Sequence, residues 1–249
     1  MSGRYLLHTL LLCALPLGSI GCRGPGYPKP GPEVVRPDEV LDFATLYKQN
    51  CSACHGANGR NGAAISLDNP VYLATAGAAT LRTVTANGVR GTLMPPFAKS
   101  AGGMLTDQQI ESLTQGMLHA WSRPDVLGGQ TPPPYASSTP GDPVQGQKAF
   151  AKFCAQCHGV NGVGASLMTG GKPEKNGSLV NTSYLALVSD QSLRSIIIAG
   201  RPDEGMPDWR SDISPTRSHA MTDQEITDTV AWLAVHRVKS AGQPYPEHP

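Results

Sequence analysis

Several things are scarce in this chain, and each scarcity excludes something. Only 39% of its 249 residues are apolar and 6% aromatic, below the usual apolar share of a globular chain. A core this thin needs a second source of stability. Charge of one sign is also missing: 20 basic and 19 acidic side chains leave a formal +1, which argues against nucleic acid or a strongly steered partner. No hydrophobic run is long and clean. The one from Tyr5 to Leu17 is broken by His8 and Pro16, too short for a good membrane span. Cysteine is not spare either. Of the six, Cys51, Cys54, Cys154 and Cys157 form two close pairs, and Cys13 and Cys22 lie in the first 22 residues. None is left over for a disulfide framework.

Gly (28) and Pro (22) are abundant, so loops are many. Between them stand two five-residue stretches, Cys51-Ser52-Ala53-Cys54-His55 and Cys154-Ala155-Gln156-Cys157-His158. Both read C-x-x-C-H, the attachment signature of a c-type haem. Two thiols three positions apart share one helical turn and can add to the two vinyl groups of one porphyrin. The adjacent histidine then faces the iron. A single copy could be a redox dithiol or half a zinc site. Two copies, each followed by Gly and then Asn-Gly (Asn58-Gly59, Asn161-Gly162), favour haem. Two large apolar discs would supply the stability that the composition lacks.

Met1 to Gly21 reads as a secretion signal: Arg4, a short apolar run, then small Ser19 and Gly21. Leu17-Gly18-Ser19-Ile20-Gly21-Cys22 resembles a bacterial lipobox, with Ser19 where Leu is usual. This predicts cleavage before Cys22 and a lipid on it. The following Pro/Gly-rich stretch (22–36) reads as an extended tether. The alternative is a soluble protein with a disordered N-terminus.

The second half repeats the first. Cys51 matches Cys154 at an offset of 103, Leu81-Arg82 and Met94-Pro95 match Leu193-Arg194 and Met206-Pro207 at 112, and Thr106 matches Thr222 at 116. The growing offset places an insertion around residues 170–177 and another after Met206. The expected domains are 37–123 and 144–240, joined by a Pro-rich linker (124–143) and followed by a tail (241–249). A helix is predicted over 38–49 before Cys51 and another over 145–153 before Cys154, with Tyr47 and Phe150 as core residues. Middle helices are predicted to stop at Gly88 and Gly200. Capping boxes at Thr106/Gln109 and Thr222/Glu225 open C-terminal helices.

The sixth iron position decides the chemistry. His/Met ligation fills the site and raises the potential, which suits electron transfer. Met94 and Met206 precede proline in Gly-rich loops at equivalent places in the two repeats, which core filler would not require. Met104 and Met221 are not at matching positions, Met117 falls on an apolar helix face, and Met168, His119 and His219 have no equivalents. Arg82 and Arg194 are a repeated pair that could face haem propionates, although exposed helix arginines are the simpler reading.

With these motifs the chain resembles two class I cytochrome c domains in tandem over residues 37–240. The resemblance implies an all-α fold, each domain wrapped around one covalently attached haem c. It implies anchors at Cys51, Cys54, Cys154 and Cys157, proximal ligands at His55 and His158, and distal ligands at Met94 and Met206. The expected function is electron transfer, not catalysis. Redox proteins or a membrane respiratory complex would be the partners, on the periplasmic side, with the membrane surface reached through lipid on Cys22. The enzymatic alternative is a dihaem peroxidase or a sulfur-compound oxidoreductase, which would need one iron without Met.

Overall fold

The computed structural model describes residue 31 and residues 34–90, 92–169, 172–175, 177–210 and 219–238. The expected signal, Cys22, most of the tether and the tail lie outside the described residues. The elements from Pro37 onward belong to one compact unit.

Helix α1 (Phe43–Asn50) starts later than its apolar pattern predicts. The Asp42 carboxylate accepts from the Thr45 amide at 2.8 Å, and a side chain that caps in this way fixes the first turn. Residues 37–39 form a separate 3-10 turn instead. The equivalent α5 (Pro143–Phe153) is capped by Asp142, which accepts from the Val144 amide at 2.8 Å. Its first residue is proline, which costs no helical hydrogen bond there.

Each of these helices crosses the last helix of its repeat: α1 packs on α4 (Asp107–Trp121) and α5 on α9 (Asp223–Ala234). Both capping boxes form as expected. The crossings are close enough to require glycine, but on opposite partners. A Cβ on Gly116 of α4 would lie 2.2 Å from Phe43 Cδ2. One on Gly146 of α5 would lie 1.9 Å from the Asp228 carbonyl oxygen and 2.8 Å from Trp232 Cβ. Phe43 and Gly146 are equivalent at offset 103, and Gly116 and Trp232 at 116. The large and small partners have exchanged sides. Around them Tyr47 sits 5.1 Å, centroid to centroid, from Trp121, and Phe150 sits 4.4 Å from Trp232.

The middle helix of repeat one, expected over 80–88, begins ten residues earlier at Pro70. Helix α3 (Pro70–Asn87) is interrupted at Gly77, whose φ of 68° only glycine adopts without strain. Its halves match α7 (Thr182–Leu187) and α8 (Asp190–Ala199) of repeat two. Ser189 stands where Gly77 does and caps α8, accepting from the Ser192 amide at 3.1 Å. The cores are Leu46, Leu73, Ile110 and Leu113 in one repeat, and Phe150, Leu185, Ile198 and Ile226 in the other.

The insertion in repeat two holds a short antiparallel hairpin, β1 (Ser166–Thr169) with β2 (Lys172–Lys175), Ser166 opposite Lys175. It is the one departure from helix among the described elements of an all-α fold. Among the described residues no helix is long and apolar enough to cross a membrane.

The Pro-rich linker is not a free spacer. Arg194, expected on the surface, is only 3% exposed. Its guanidinium donates to the Pro134 carbonyl at 2.7 Å, the Tyr135 carbonyl at 3.2 Å and the Thr227 hydroxyl at 3.0 Å, and pairs with Asp223. The Arg210 guanidinium donates to the Val126 carbonyl at 2.8 Å. A run of proline leaves carbonyls without neighbouring amides, and the buried Arg194 supplies the donors at Pro134 and Tyr135.

Candidate functional site: two haem-binding motifs

Each C-x-x-C-H motif forms a single helical turn directly after the first helix of its repeat. These turns are α2 (Ser52–His55) and α6 (Ala155–His158). The hydrogen bonds repeat almost atom for atom. The Cys51 amide donates to the Tyr47 carbonyl at 2.9 Å, and the Cys154 amide to the Phe150 carbonyl at 2.8 Å. The amides of His55 and His158 donate to the carbonyls of Cys51 and Cys154, both at 3.0 Å. The Gly59 and Gly162 carbonyls then accept from Leu67 and Leu179 at 2.7 and 2.8 Å, closing the loop behind each motif.

The surroundings of the two histidines differ. His55 is buried, and its Nδ1 lies 2.8 Å from the Ile65 carbonyl oxygen. That contact puts the proton on Nδ1 and leaves Nε2 bare, the tautomer a metal requires. His158 Nδ1 is also shielded from solvent, but it has no hydrogen-bond partner among the described residues. The insertion, with its β1–β2 hairpin, separates His158 from the segment equivalent to the one that carries Ile65. Burial holds both imidazoles below the usual histidine range, partly countered at His55 by the Ile65 carbonyl. Both are therefore neutral near pH 7, as ligation demands.

Burial, and then the nearby Cys54, push the Cys51 thiol up to about 11. That is the reverse of a reactive redox dithiol, whose thiol is depressed. Tyr47 and Phe150 are core residues as expected, but Tyr47 has a second role that sequence reading missed. Its hydroxyl donates to the Gly56 carbonyl at 2.9 Å, tying α1 to the turn after His55. Burial, and then Cys51, push that hydroxyl up to about 12, so it remains a donor. Phe150 has no hydroxyl and makes no such tie.

The methionine loops are latched to helix ends. Val89 N–H donates to the Met94 carbonyl at 3.0 Å, and Arg201 N–H to the Met206 carbonyl at 2.8 Å. Gly88 and Gly200, both at φ 67°, turn the chain out of α3 and α8. A Cβ on either would lie within 2.7 Å of the backbone at the Met-Pro segment. Met94 and Met206 are both half-buried. The rivals are placed otherwise. Met117 and Met221 are in the core, Met104 and His119 are exposed, Met168 lies in β1, and His219 bonds Glu225 at 3.0 Å. Arg82 is exposed and pairs with Glu111. Arg194 is committed to the linker. The repeat offset singled out Arg194 and the helix pattern Tyr47, but neither signals the backbone carbonyls that these side chains meet.

Among the described residues no three His, Cys, Asp or Glu side chains converge to hold a bare metal ion. Each motif instead offers two thiols on one turn and one neutral imidazole. That set fits an iron carried by a macrocycle, with the thiols bonding the ring and the imidazole the metal.

The family model described as "Cytochrome C oxidase, cbb3-type, subunit III" matches residues 38–115 and 141–233. The chain is similar to the Cbb3-type cytochrome c oxidase subunit CcoP of Azospirillum sp. (strain B510), 28% identical over 149 residues, 53% of this chain and 45% of that one. It is also similar to the Cbb3-type cytochrome c oxidase subunit FixPc of Rhizobium leguminosarum bv. viciae, 25% identical over 193 residues, 74% of this chain and 58% of that one. The chain thus spans about half the length of the curated relatives it matches. Among solved structures, the Kuenenia stuttgartiensis reducing HAO-like protein complex Kustc0457/Kustc0458 aligns at 18% identity over 82% of this chain and 100% of that chain, with a TM-score of 0.39. That likeness is too loose to carry an argument. The two matched segments and the paired motifs within them place the chain in the cytochrome c oxidase, cbb3-type, subunit III family, as a dihaem c-type cytochrome with two covalently attached haem c groups.

Proposed function

We propose that this protein passes electrons between redox partners on the outer side of the cytoplasmic membrane, as a carrier or as the cytochrome subunit of a respiratory complex. The observation that carries this reading is the duplication of one site. Two motif turns with matching hydrogen bonds stand in the same chain as two Met-Pro loops latched alike to glycine-ended helices. A matched pair suits relay from one centre to the next; catalysis would call for one centre to differ in its sixth ligand.

Cys51 and Cys54 anchor the first haem, and Cys154 and Cys157 the second. His55 and His158 are the proximal ligands, and Met94 and Met206 the distal ones. The haem irons, when bound, supply one-electron Fe(III)/Fe(II) couples. The chain's own work is to hold each imidazole in its neutral form, deliver a soft thioether from a braced loop and keep water from the ring. The domains are 37–123 and 144–240, one haem each. Export, with a lipid on Cys22, would hold them at the periplasmic surface, and the similarity to cbb3-type oxidase subunits supports a membrane complex as partner.

The test is the optical and EPR spectrum of the haem-loaded protein with Met94→Ala and Met206→Ala made separately. Two low-spin centres are expected, with one turning high-spin in each variant. A centre that is high-spin from the outset, or one that keeps its ligand without its methionine, would overturn the assignment.

A further inference from the structure

The two repeats are joined at one buried carboxamide. Asn69 is 6% exposed. Its Oδ1 caps α3 in repeat one, accepting from the amides of Val71 at 2.9 Å and Tyr72 at 3.2 Å. Its Nδ2 crosses to repeat two and donates to the carbonyls of Ala199 at 3.1 Å and Gly200 at 3.2 Å. All four hydrogen-bonding positions of the side chain are thereby used. The start of one helix is thus held to the end of another, which brings together partial charges of opposite sign.

The end it grips is functional. Gly200 turns the chain into the Met206 loop, where Arg201 and Met206 exchange backbone hydrogen bonds at 2.8 and 2.9 Å. The repeat-two equivalent of Asn69 is Asn181. It also caps its helix, accepting from the Tyr184 amide at 3.0 Å, but it is exposed, and among the described residues it makes no hydrogen bond to the other repeat. Capping alone therefore does not account for burying Asn69. Its second face is spent on the other repeat, and a buried amide without those two carbonyls would be costly.

The structure assigns Asn69 as a positioning residue that fixes the Met206 loop of repeat two against repeat one, and so fixes the second electron-transfer site relative to the first. The functional consequence rests on the reading of Met206 as an iron ligand; the mechanical tie does not. Asn69→Ser keeps an oxygen for the cap and removes both donated bonds. Asn69→Asp keeps the cap and sets an acceptor against two carbonyls. Asn181→Ser is the control.

Amide hydrogen exchange on the haem-loaded full chain reads the tie, and the EPR signal of the second centre reads its consequence. In both Asn69 variants, exchange at Arg201 and Met206 is expected to rise by about tenfold or more, while Val71 and Tyr72 stay within about twofold. Asn181→Ser should leave Arg201 and Met206 unchanged. No rise at Arg201 and Met206 would overturn the proposal. So would an equal rise at Val71 and Tyr72, which would make Asn69 only a cap. A rise at Arg201 and Met206 with an unaltered EPR signal would uphold the tie and reject Met206 as the ligand.

Discussion

Repeat one and repeat two solve the same helix crossing with opposite residues. In the first, Phe43 on α1 presses on Gly116 of α4; in the second, Trp232 on α9 covers Gly146 of α5. What both repeats keep is the sum, one large ring over one missing side chain, and not the identity at either position. The haem motifs show the reverse. Every motif residue with a chemical task is kept, while the second contact of the histidine is free to change: Ile65 O faces His55 Nδ1, and no described residue does so for His158. Packing tolerates exchange because only volume matters. Ligation does not, because each donor atom is used.

The sharpest way to break the comparison is at the motifs. Replacing Cys51 and Cys54 by Ala should leave a chain carrying one covalent haem, and the same is expected for Cys154 and Cys157. Intact mass and pyridine haemochrome absorbance would count them. A chain that still carries two would end the assignment.

The crossings come next. Gly146→Ala drives a Cβ against a backbone carbonyl that cannot turn away, whereas Gly116→Ala meets a ring that can. We expect a loss of about 3 kcal/mol or more at Gly146, and about 1–2 kcal/mol at Gly116, relieved by Phe43→Leu. Denaturant unfolding of the four chains measures this, and equal losses at the two glycines would refute the distinction.

A comparable contrast lies at Arg82 and Arg194, equivalent in sequence and opposite in setting. Arg194→Ala should cost about 3 kcal/mol, because buried linker carbonyls lose their donors. Arg82→Ala should cost less than about 1 kcal/mol at its exposed pair. Similar losses would mean that the linker is not held as described.

The smallest effect concerns acid. Repeat one closes its capping box with Gln109, which does not titrate, and repeat two with Glu225. Burial pushes the Glu225 carboxyl up, but the Thr222 amide, His219 and the Thr222 hydroxyl outweigh it and hold it below the usual range. Lys152 also stands 3.7 Å away. A depressed carboxyl contributes stability that is complete above its unfolded value of about 4.3 and is lost as pH falls through the lower folded value. After solvent screening this is no more than about 1 kcal/mol. Glu225→Gln should flatten that part of the stability profile between about pH 5 and pH 3, and an unchanged slope would contradict the sign.

Much of this was legible in the sequence because it is local. C-x-x-C-H, the capping boxes and the glycine helix stops each need only neighbours a few positions apart. The exchange at the crossings was within reach too, since Phe43/Gly146 and Gly116/Trp232 fall on the offsets that align the repeats. Arg194, Tyr47 and Asn69 were not legible. Their partners are the Pro134, Gly56 and Ala199 carbonyls, and every residue type carries a carbonyl. No pattern of side chains announces which one will be met.

The most direct test of the account is a spectroscopic redox titration of the haem-loaded protein. If His55 is the proximal ligand as proposed, donation from its Nδ1 to the Ile65 carbonyl would make it the stronger electron donor of the two histidines, which would favour Fe(III). Two low-spin one-electron steps are expected, separated by on the order of tens of millivolts, with the lower one shifted further down in Met94→Ala. A single step of two equal centres, or a lower step that belongs to repeat two, would contradict the account.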